Sequence, residues 1–281
     1  MRARPRVALA TFTGFPQLWD DDRLLLGPLD VLGIDAQPTV WDDPAVDWAS
    51  YDLVVVRSTW DYTWRRDAFL DWAASVPALL NPVEVLAWNT DKRYLAELAA
   101  AGVPVVPTTF VVPDEEYDPP AYEHVVKPTV SAGSRDTARF AAGEDSRDHA
   151  DRLLAAGRTV MVQPYQAAVD AAGETAVIFF AGVHSHAARK GPVLVPGLAS
   201  PHDVSITPAT ATPEQLEVAR AALAVVPWDD PLLYARVDVV PGPDGQPVLM
   251  ELEVTEPSLF LGTSPGAPER LAAAIAGAVG S

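Results

Sequence analysis

Near its end the chain carries two apolar runs, Tyr234-Ala-Arg-Val-Asp-Val-Val240 and Val248-Leu-Met-Glu-Leu-Glu-Val254, flanking Pro241-Gly-Pro-Asp-Gly-Gln-Pro247. Asp-Gly between hydrophobic runs is the strongest short-range hairpin signal. A two-residue turn at Asp244-Gly245 sets Asp238 opposite Glu251 and Arg236 opposite Glu253. Side chains alternate along a strand, so these four groups share one face. The other face then reads Leu233, Ala235, Val237 and Val239 against Met250, Leu252 and Val254, uniformly apolar, which supports the register.

Carboxylates facing each other across a ladder repel. One reading is a solvated sheet face with Arg236 in partial compensation. The other is a seat for a hard cation such as magnesium, which accepts carboxylate oxygens and keeps water or phosphate as further ligands. On the second reading, the hairpin is a floor that holds metal beneath a phosphate chain.

A chain of 281 residues, 49% hydrophobic, can bury a large core spread over two or three subdomains. Its formal net charge of −18 argues against a nucleic-acid backbone or an anionic membrane as the main partner. With no cysteine, disulfides, thiolate catalysis and cysteine-ligated metal are excluded. The opening residues lack the long apolar core of a signal peptide, and no run is apolar enough to span a bilayer. The expectation is a cytoplasmic protein.

Three blocks follow along the chain. Residues 1–88 alternate strand and helix signals: a strand at Arg6–Thr11, a helix at Asp21–Leu32, and the continuous apolar run Leu53–Val56, the mark of a buried parallel strand. Residues 89–165 open with a helix, Asp91–Ala101, stopped by Gly102 and Pro104. Strands at Val105–Val112, Val125–Lys127 and Thr159–Gln163 and a helix at Ser146–Leu154 complete that block. Residues 166–281 hold strands at Glu174–Ala181 and His184–Lys190, a helix at Pro213–Val225, the hairpin, and a closing helix at Pro268–Ala278. The fold class is α/β. Pro113–Pro120, acidic and proline-rich, reads as a surface loop.

Several other motifs carry polar chemistry. Lys127 leads from a strand end into Pro-Thr-Val-Ser-Ala-Gly-Ser134, where small residues expose backbone N–H groups to anionic oxygens or simply form a surface turn. Thr159–Tyr165 is a strand breaking at Gln163-Pro164, where unpaired backbone groups could read an adenine edge. Arg189-Lys190 closes a strand, either solvated or paired with phosphate. Arg57-Ser-Thr-Trp-Asp-Tyr62 lies past the C-terminal end of a parallel strand, where ligands of open α/β sheets gather. Asp20-Asp21-Asp22 is explained by caps and the helix dipole. His184 and His186 alternate on one strand and are expected to face the same way, as structural groups or substrate contacts.

Taken in order, Asn89-Thr-Asp-Lys92, Lys127 with Ser131-Ala-Gly-Ser134, Gln163-Pro-Tyr165, Gly173-Glu174, Arg189-Lys190, Arg236-Val-Asp238 and Glu251-Leu-Glu253 resemble the ATP-grasp superfamily. The likeness lies in its glutathione synthetase-like branch of carboxylate–amine ligases and covers about residues 89–260. The resemblance implies a small N-terminal α/β domain (1–88), a central lid subdomain (89–165) and a C-terminal subdomain with the metal-binding hairpin (166–281). It implies ATP and two magnesium ions, with Asp238, Glu251 and Glu253 as metal ligands. The nucleotide would be held by Lys92, Lys127, Ser131, Gly133, Ser134, Gln163, Pro164, Tyr165 and Glu174, and Arg236, Lys190 and Arg189 would act on the transferring phosphoryl group. One departure stands out, since the family usually spaces its last ligands Glu-x-Asn and this chain has Glu253.

Arg57–Tyr62, Trp88–Lys92 and Glu251–Leu259 add a narrower likeness to the ATP-grasp cyclo-ligases of D-cycloserine biosynthesis, which close O-ureido-D-serine into a ring. The substrate would then lie between Arg57, Ser58, Thr59, Asp61 and Tyr62 on one side and Glu256 and Ser258 on the other. Arg236 or Arg57 would hold its carboxylate, and Asp61 or Glu256 its amine. The implied reaction forms an acyl phosphate that a nitrogen nucleophile then displaces. An intermolecular amino acid–amine ligase and a catalytically inactive nucleotide-binding protein are the alternatives, and relatives are often homodimers.

Overall fold

The computed structural model describes residues 4–194 and 204–279. The N-terminal part contains β1 (Arg6–Thr11), α1 (Asp20–Arg23), α2 (Leu26–Val31), β2 (Asp35–Val40), β3 (Leu53–Ser58), α3 (Arg66–Ser75), β4 (Leu79–Leu80), α4 (Val83–Asn89) and α5 (Tyr94–Ala100). Its four strands form a parallel sheet ordered β2-β1-β3-β4. The single helix expected over Asp21–Leu32 is instead two short ones. Pro28 has no N–H to give to the carbonyl one turn back, and its ring crowds that carbonyl, so the chain breaks at Leu24-Leu25.

Next come β5 (Thr109–Val111), β6 (His124–Pro128), β7 (Ala138–Phe140), α6 (Arg147–Ala155) and β8 (Val160–Pro164). They build an antiparallel sheet ordered β5-β8-β6-β7 with α6 against it. The strand expected over Val105–Val112 is shorter. Pro107 lacks a donor, so Val105 bridges Leu249 of a different sheet and only Thr109–Val111 pairs with β8.

The last part holds α7 (Ala168–Ala172), β9 (Glu174–Phe180), β10 (Val183–Lys190), β11 (Ile206–Ala209), α8 (Pro213–Leu223), β12 (Tyr234–Pro241), β13 (Pro247–Glu253) and α9 (Ala267–Val279). The sheet order is β11-β10-β9-β12-β13. Alternation divides it into two faces. Val177, Phe179, Ala235 and Val237 pack with residues of α5 and α8, while Ile178, Phe180 and Tyr234 pack with α9 and the N-terminal sheet. The second face turns from apolar to charged along its strands, and the site begins there.

The hairpin pairs Asp238 with Glu251 and Arg236 with Glu253, as expected. The turn itself differs. Gly242 N–H bonds Gln246 O at 2.7 Å and Gly245 N–H bonds Gly242 O at 2.9 Å, so the loop has three residues, with Gly245 in the left-handed region at φ +80°. That shifts Val239 opposite Leu249, and a bulge at Met250 restores the expected register at Asp238. Met250 therefore leaves the apolar face and lines the cleft, and Leu249 takes its place in the core.

As the sheet's edge strand, β13 is covered by side chains and an irregular segment. Tyr94 OH donates to Leu252 O (2.8 Å), Asn89 Nδ2 to Leu252 O (2.8 Å) and Asn81 Nδ2 to Val254 O (2.7 Å), while Leu249 N–H reaches Pro104 O (2.7 Å). These contacts block the exposed edge and fix the floor of the site to the chain entering α4 and α5.

Candidate active site

A cleft of about 920 Å³ opens between the sheets, lined by residues of all three parts of the chain. Its floor follows from register. Lys190 pairs with Glu174, Ala188 and Asp238 both face Ala176, and Arg236 faces Ile178, so Lys190, Glu174, Asp238 and Arg236 rise from one face. Arg236 grips Asp238 with two bonds, Nε to Oδ1 at 2.9 Å and Nη2 to Oδ2 at 3.0 Å, and reaches Glu253 Oε1 at 2.5 Å. Lys190 Nζ sits 2.7 Å from Asp238 Oδ2 and 2.8 Å from Glu174 Oε2. Gly173, beside this pair, has φ +65°, and a Cβ there would meet Lys190 O at 2.3 Å, so only glycine lets β9 and β10 close at this point.

Arg189 does not join them. It is the next residue along β10, so its side chain lies on the opposite face, where it donates to Ala172 O at 2.6 Å. Arg189 therefore does not reach the cleft, contrary to the catalytic role expected for it. His184 and His186 do not face the same way either. A bulge between them sets His184 opposite Phe179 and His186 opposite Ile178, and neither lines the cleft.

Lys92 enters from the chain before α5, with Nζ 3.1 Å from Glu251 Oε1 and 2.6 Å from Ser131 O. Lys127, Gly133, Ser134, Gln163, Pro164 and Tyr165 also line the cleft. Ser131 turns its hydroxyl back to Pro128 O (3.3 Å) and its carbonyl to Lys92, so its polar atoms serve the loop itself. Gln163 Nε2 donates to Thr108 Oγ1 at 2.9 Å, and the Arg139 guanidinium lies 3.4 Å from the Tyr165 ring centroid.

The segment after β13 is held carbonyl by carbonyl. Thr255 O accepts from Tyr234 OH (2.8 Å), Glu256 O from Trp60 Nε1 (3.1 Å), Pro257 O from Arg57 Nη2 (2.6 Å), Ser258 O from Arg236 Nη1 (3.0 Å) and Leu259 O from His186 Nε2 (3.0 Å). This corrects the expected substrate role of Arg57. Its guanidinium is fully buried, bonded through Nε to Asp22 Oδ1 at 2.9 Å and stacked over Tyr234. Ser58 Oγ donates to Asp22 Oδ2 (2.7 Å), Thr59 is buried, and neither lines the cleft, so both leave the substrate set too. Asp61, Tyr62, Glu256 and Ser258 do line it, although Asp61 is engaged by Trp41 Nε1 (2.9 Å) and Arg65.

The acidic run at 20–22 does more than cap a helix. Asp22 pairs with Arg57, and Asp21 accepts the N–H groups of Leu261 and Gly262, each at 2.9 Å, on the cleft wall. Phe12, Phe15, Trp19 and Trp60 form an edge-to-face cluster on the same wall. Sequence reasoning missed Asp21 and the first three of these aromatics. Their signal was the aromatic loop after β1, which sits at the carboxyl end of a parallel strand.

Electrostatics sort the carboxylates. Burial raises the proton affinity of Asp238 and Glu251, but Arg236 and Lys190 outweigh it at Asp238, and Lys92 and Lys127 at Glu251, so both stay below the usual range. Glu253 is pushed up to about 7, chiefly by burial, against the pull of Arg236. Burial, then the charge of Glu253, pushes Glu256 up to about 8. Burial lowers Lys127. At Lys190, burial is overridden by Asp238 and Glu174, which raise it.

The floor suits a hard cation only in part. Among the described residues no three acidic or histidine side chains are grouped to hold one ion. Both Asp238 oxygens accept from Arg236 and Lys190, so Asp238 would have to exchange one of these partners to reach an ion. Glu251 and Glu253 each give Oε1 to a cation and keep Oε2 free of protein donors among the described residues, and these are the donors magnesium prefers.

Residues 7–85 match the family model described as "D-cycloserine synthetase DcsG, N-terminal domain". "Cycloserine biosynthesis protein DcsG" of Streptomyces lavendulae is 41% identical over 273 residues, covering 90% of this chain and 91% of that one. The chain belongs to the DcsG family of ATP-grasp ligases. A crystal structure of D-cycloserine synthetase DcsG is 38% identical, with a TM-score of 0.88 over 98% of this chain and 99% of that one. D-alanine–D-alanine ligase from Bacillus anthracis shares the fold at 12% identity, with a TM-score of 0.70 over 98% of this chain and 97% of its own. The ATP-grasp fold class expected from the motifs is therefore correct. This DcsG-family chain places Lys190, Asp238, Arg236, Glu251 and Glu253 on one sheet face. Among the described residues, no helix is long and apolar enough to cross a membrane.

Proposed function

We propose that the protein uses ATP to activate the carboxylate of an O-ureido-serine-like amino acid and closes it to a cycloserine-type ring. The carrying observation is the convergence of Lys92, Lys127, Lys190 and Arg236 with Glu251 and Glu253 in one cleft of a chain 41% identical to DcsG. Phosphoryl transfer asks little covalent chemistry of a protein; it needs alignment and charge neutralisation.

Lys92, Lys190 and Arg236 already pair with carboxylates in the cleft. Magnesium, when bound, would neutralise phosphate oxygens from Glu251 and Glu253, with Asp238 joining once Lys190 moves off it. Lys92, Lys127 and Lys190 then face the phosphate chain, and Arg236 faces the oxygens of the transferring group. The substrate carboxylate oxygen forms a bond to the γ-phosphorus as the bond to ADP breaks. The oxygen-bound nitrogen of the ureido group next attacks the acyl carbon, inorganic phosphate leaves with the bonding pair, and the nitrogen gives up its proton. Water then adds to the carbamoyl carbon, the bond to the ring nitrogen breaks, the nitrogen takes a proton, and the carbamate released falls apart to carbon dioxide and ammonia. Val125, Val169, Met250 and Tyr165, all in the cleft lining, would offer apolar surface to the base.

ADP release should be measured over serine, its O-substituted derivatives and other amino acids, with and without magnesium. Release that needs both magnesium and an O-ureido-serine supports the reading. ATP binding with no release for any acid would support an inactive nucleotide-binding protein instead.

A further inference from the structure

Among the described residues, the cleft wall carries six acidic side chains: Asp21, Asp61, Glu174, Glu251, Glu253 and Glu256. Five are satisfied by protein. Asp61 has Arg65, Glu174 has Lys190, Glu251 has Lys92, Glu253 has Arg236, and Asp21 has two backbone N–H groups. Glu256 has no cation within 4 Å among the described residues, although it is only 8% exposed. Its polar neighbour is the Tyr62 hydroxyl, which is neutral and cannot balance a charge. A buried carboxylate without a counter-charge is costly unless it takes up a proton or a cation.

We propose that Glu256 receives the primary ammonium group of the substrate, and that Arg57 is the residue that positions it. This rests on the ligase reading for the identity of the substrate. Every carbonyl from Thr255 to Leu259 is held by a donor from β3, β10, β12 or the turn after β3, so the Glu256 side chain is aimed by a backbone with little freedom. Trp60, which donates to Glu256 O, belongs to the aromatic cluster with Phe15 and Trp19, and an ammonium beside such rings gains cation–π attraction. Asp61, the other acidic group considered for the amine, is already occupied by Trp41 and Arg65. Burial and the charges of Glu253 and Glu251, opposed by Lys92 and Tyr62, also leave Glu256 reluctant to hold its negative charge without a cation.

The test is calorimetric binding of O-ureido-D-serine and of its desamino analogue to the full chain with a non-hydrolysable ATP analogue and magnesium. ADP release by the unaltered protein is followed in parallel. The unaltered protein should prefer the amine-bearing compound by about 10- to 100-fold, the strength of one charged hydrogen bond. E256Q should abolish that preference without changing nucleotide affinity, E256D should restore part of it, and R57K should weaken it less than E256Q. Equal affinity for both compounds in the unaltered protein, or an undiminished preference in E256Q, overturns the inference. Absence of ADP release with a preference that E256Q abolishes would leave this assignment standing and remove the ligase reading.

Discussion

At the scale of single residues, Arg57 shows how position in the fold decides what a charge does. Its guanidinium is buried against Asp22, so removing it strands a carboxylate that is itself buried. R57A should lose about 3–5 kcal/mol of stability in urea unfolding. A loss under about 1 kcal/mol would mean that Asp22 is solvated. Glu256 predicts a pH effect. Its folded-state proton affinity, about 8, lies above its ordinary value of 4.5, so folding favours the protonated form. That stability is present at low pH and is lost as pH rises from about 4.5 to about 8, by up to ~1.4 kcal/mol per unit. Glu253, pushed up to about 7, acts in the same direction. Thermal melts of the ligand-free protein should therefore fall between mildly acidic pH and pH 8, and E256Q should flatten the fall; identical pH slopes would contradict the burial of this carboxyl. The cations Lys92, Lys127, Lys190 and Arg236 were legible in the sequence because each sits at a strand end or in a recognisable motif. Arg57 was not. Its partner Asp22 belongs to an acidic run that local rules explain as helix capping, and only the packing of α1 against β3 pairs the two.

At the scale of elements, the hairpin reached its expected pairing by two departures that cancel. The three-residue loop moves the register by one position, and the bulge at Met250 moves it back before Glu251. Apolar alternation and the facing charges were readable, but a bulge leaves no mark in a pattern that stays hydrophobic on either side. The same is true of β10, where a bulge parts His184 from His186. Two glycines separate backbone freedom from close packing. Gly245 has φ +80° with open space around it, whereas Gly173 has φ +65° and faces Lys190 O. G245A should cost about 1 kcal/mol, the strain of the left-handed conformation alone. G173A should cost clearly more and also weaken nucleotide binding, because β9 and β10 must separate beside Lys190 and Glu174. Chemical unfolding and nucleotide titration of both variants check this, and equal losses would refute the close-approach argument.

At the scale of the whole molecule, the N-terminal sheet and the C-terminal sheet share one core. Leu9, Val55, Ile178, Phe180, Tyr234 and Leu271 belong to a single buried cluster, and Asn81 bonds Leu233 N, Tyr234 O and Val254 O. These two parts should unfold together. Tryptophan fluorescence, weighted toward the N-terminal part, and far-ultraviolet circular dichroism should give coincident transitions; two separated midpoints would show that the shared core does not couple them. The order of blocks was readable from alternating strand and helix signals, but the joining of their cores was not, because contacts between distant segments leave no local period. The central claim is that this assembled cleft drives an ATP-dependent ring closure. Mass spectrometry of the products from O-ureido-D-serine, ATP and magnesium tests it most directly. ADP, phosphate and a cyclic product smaller than the substrate are predicted; a product with the summed mass of the amino acid and an amine or second amino acid less water, or no ADP at all, would contradict it.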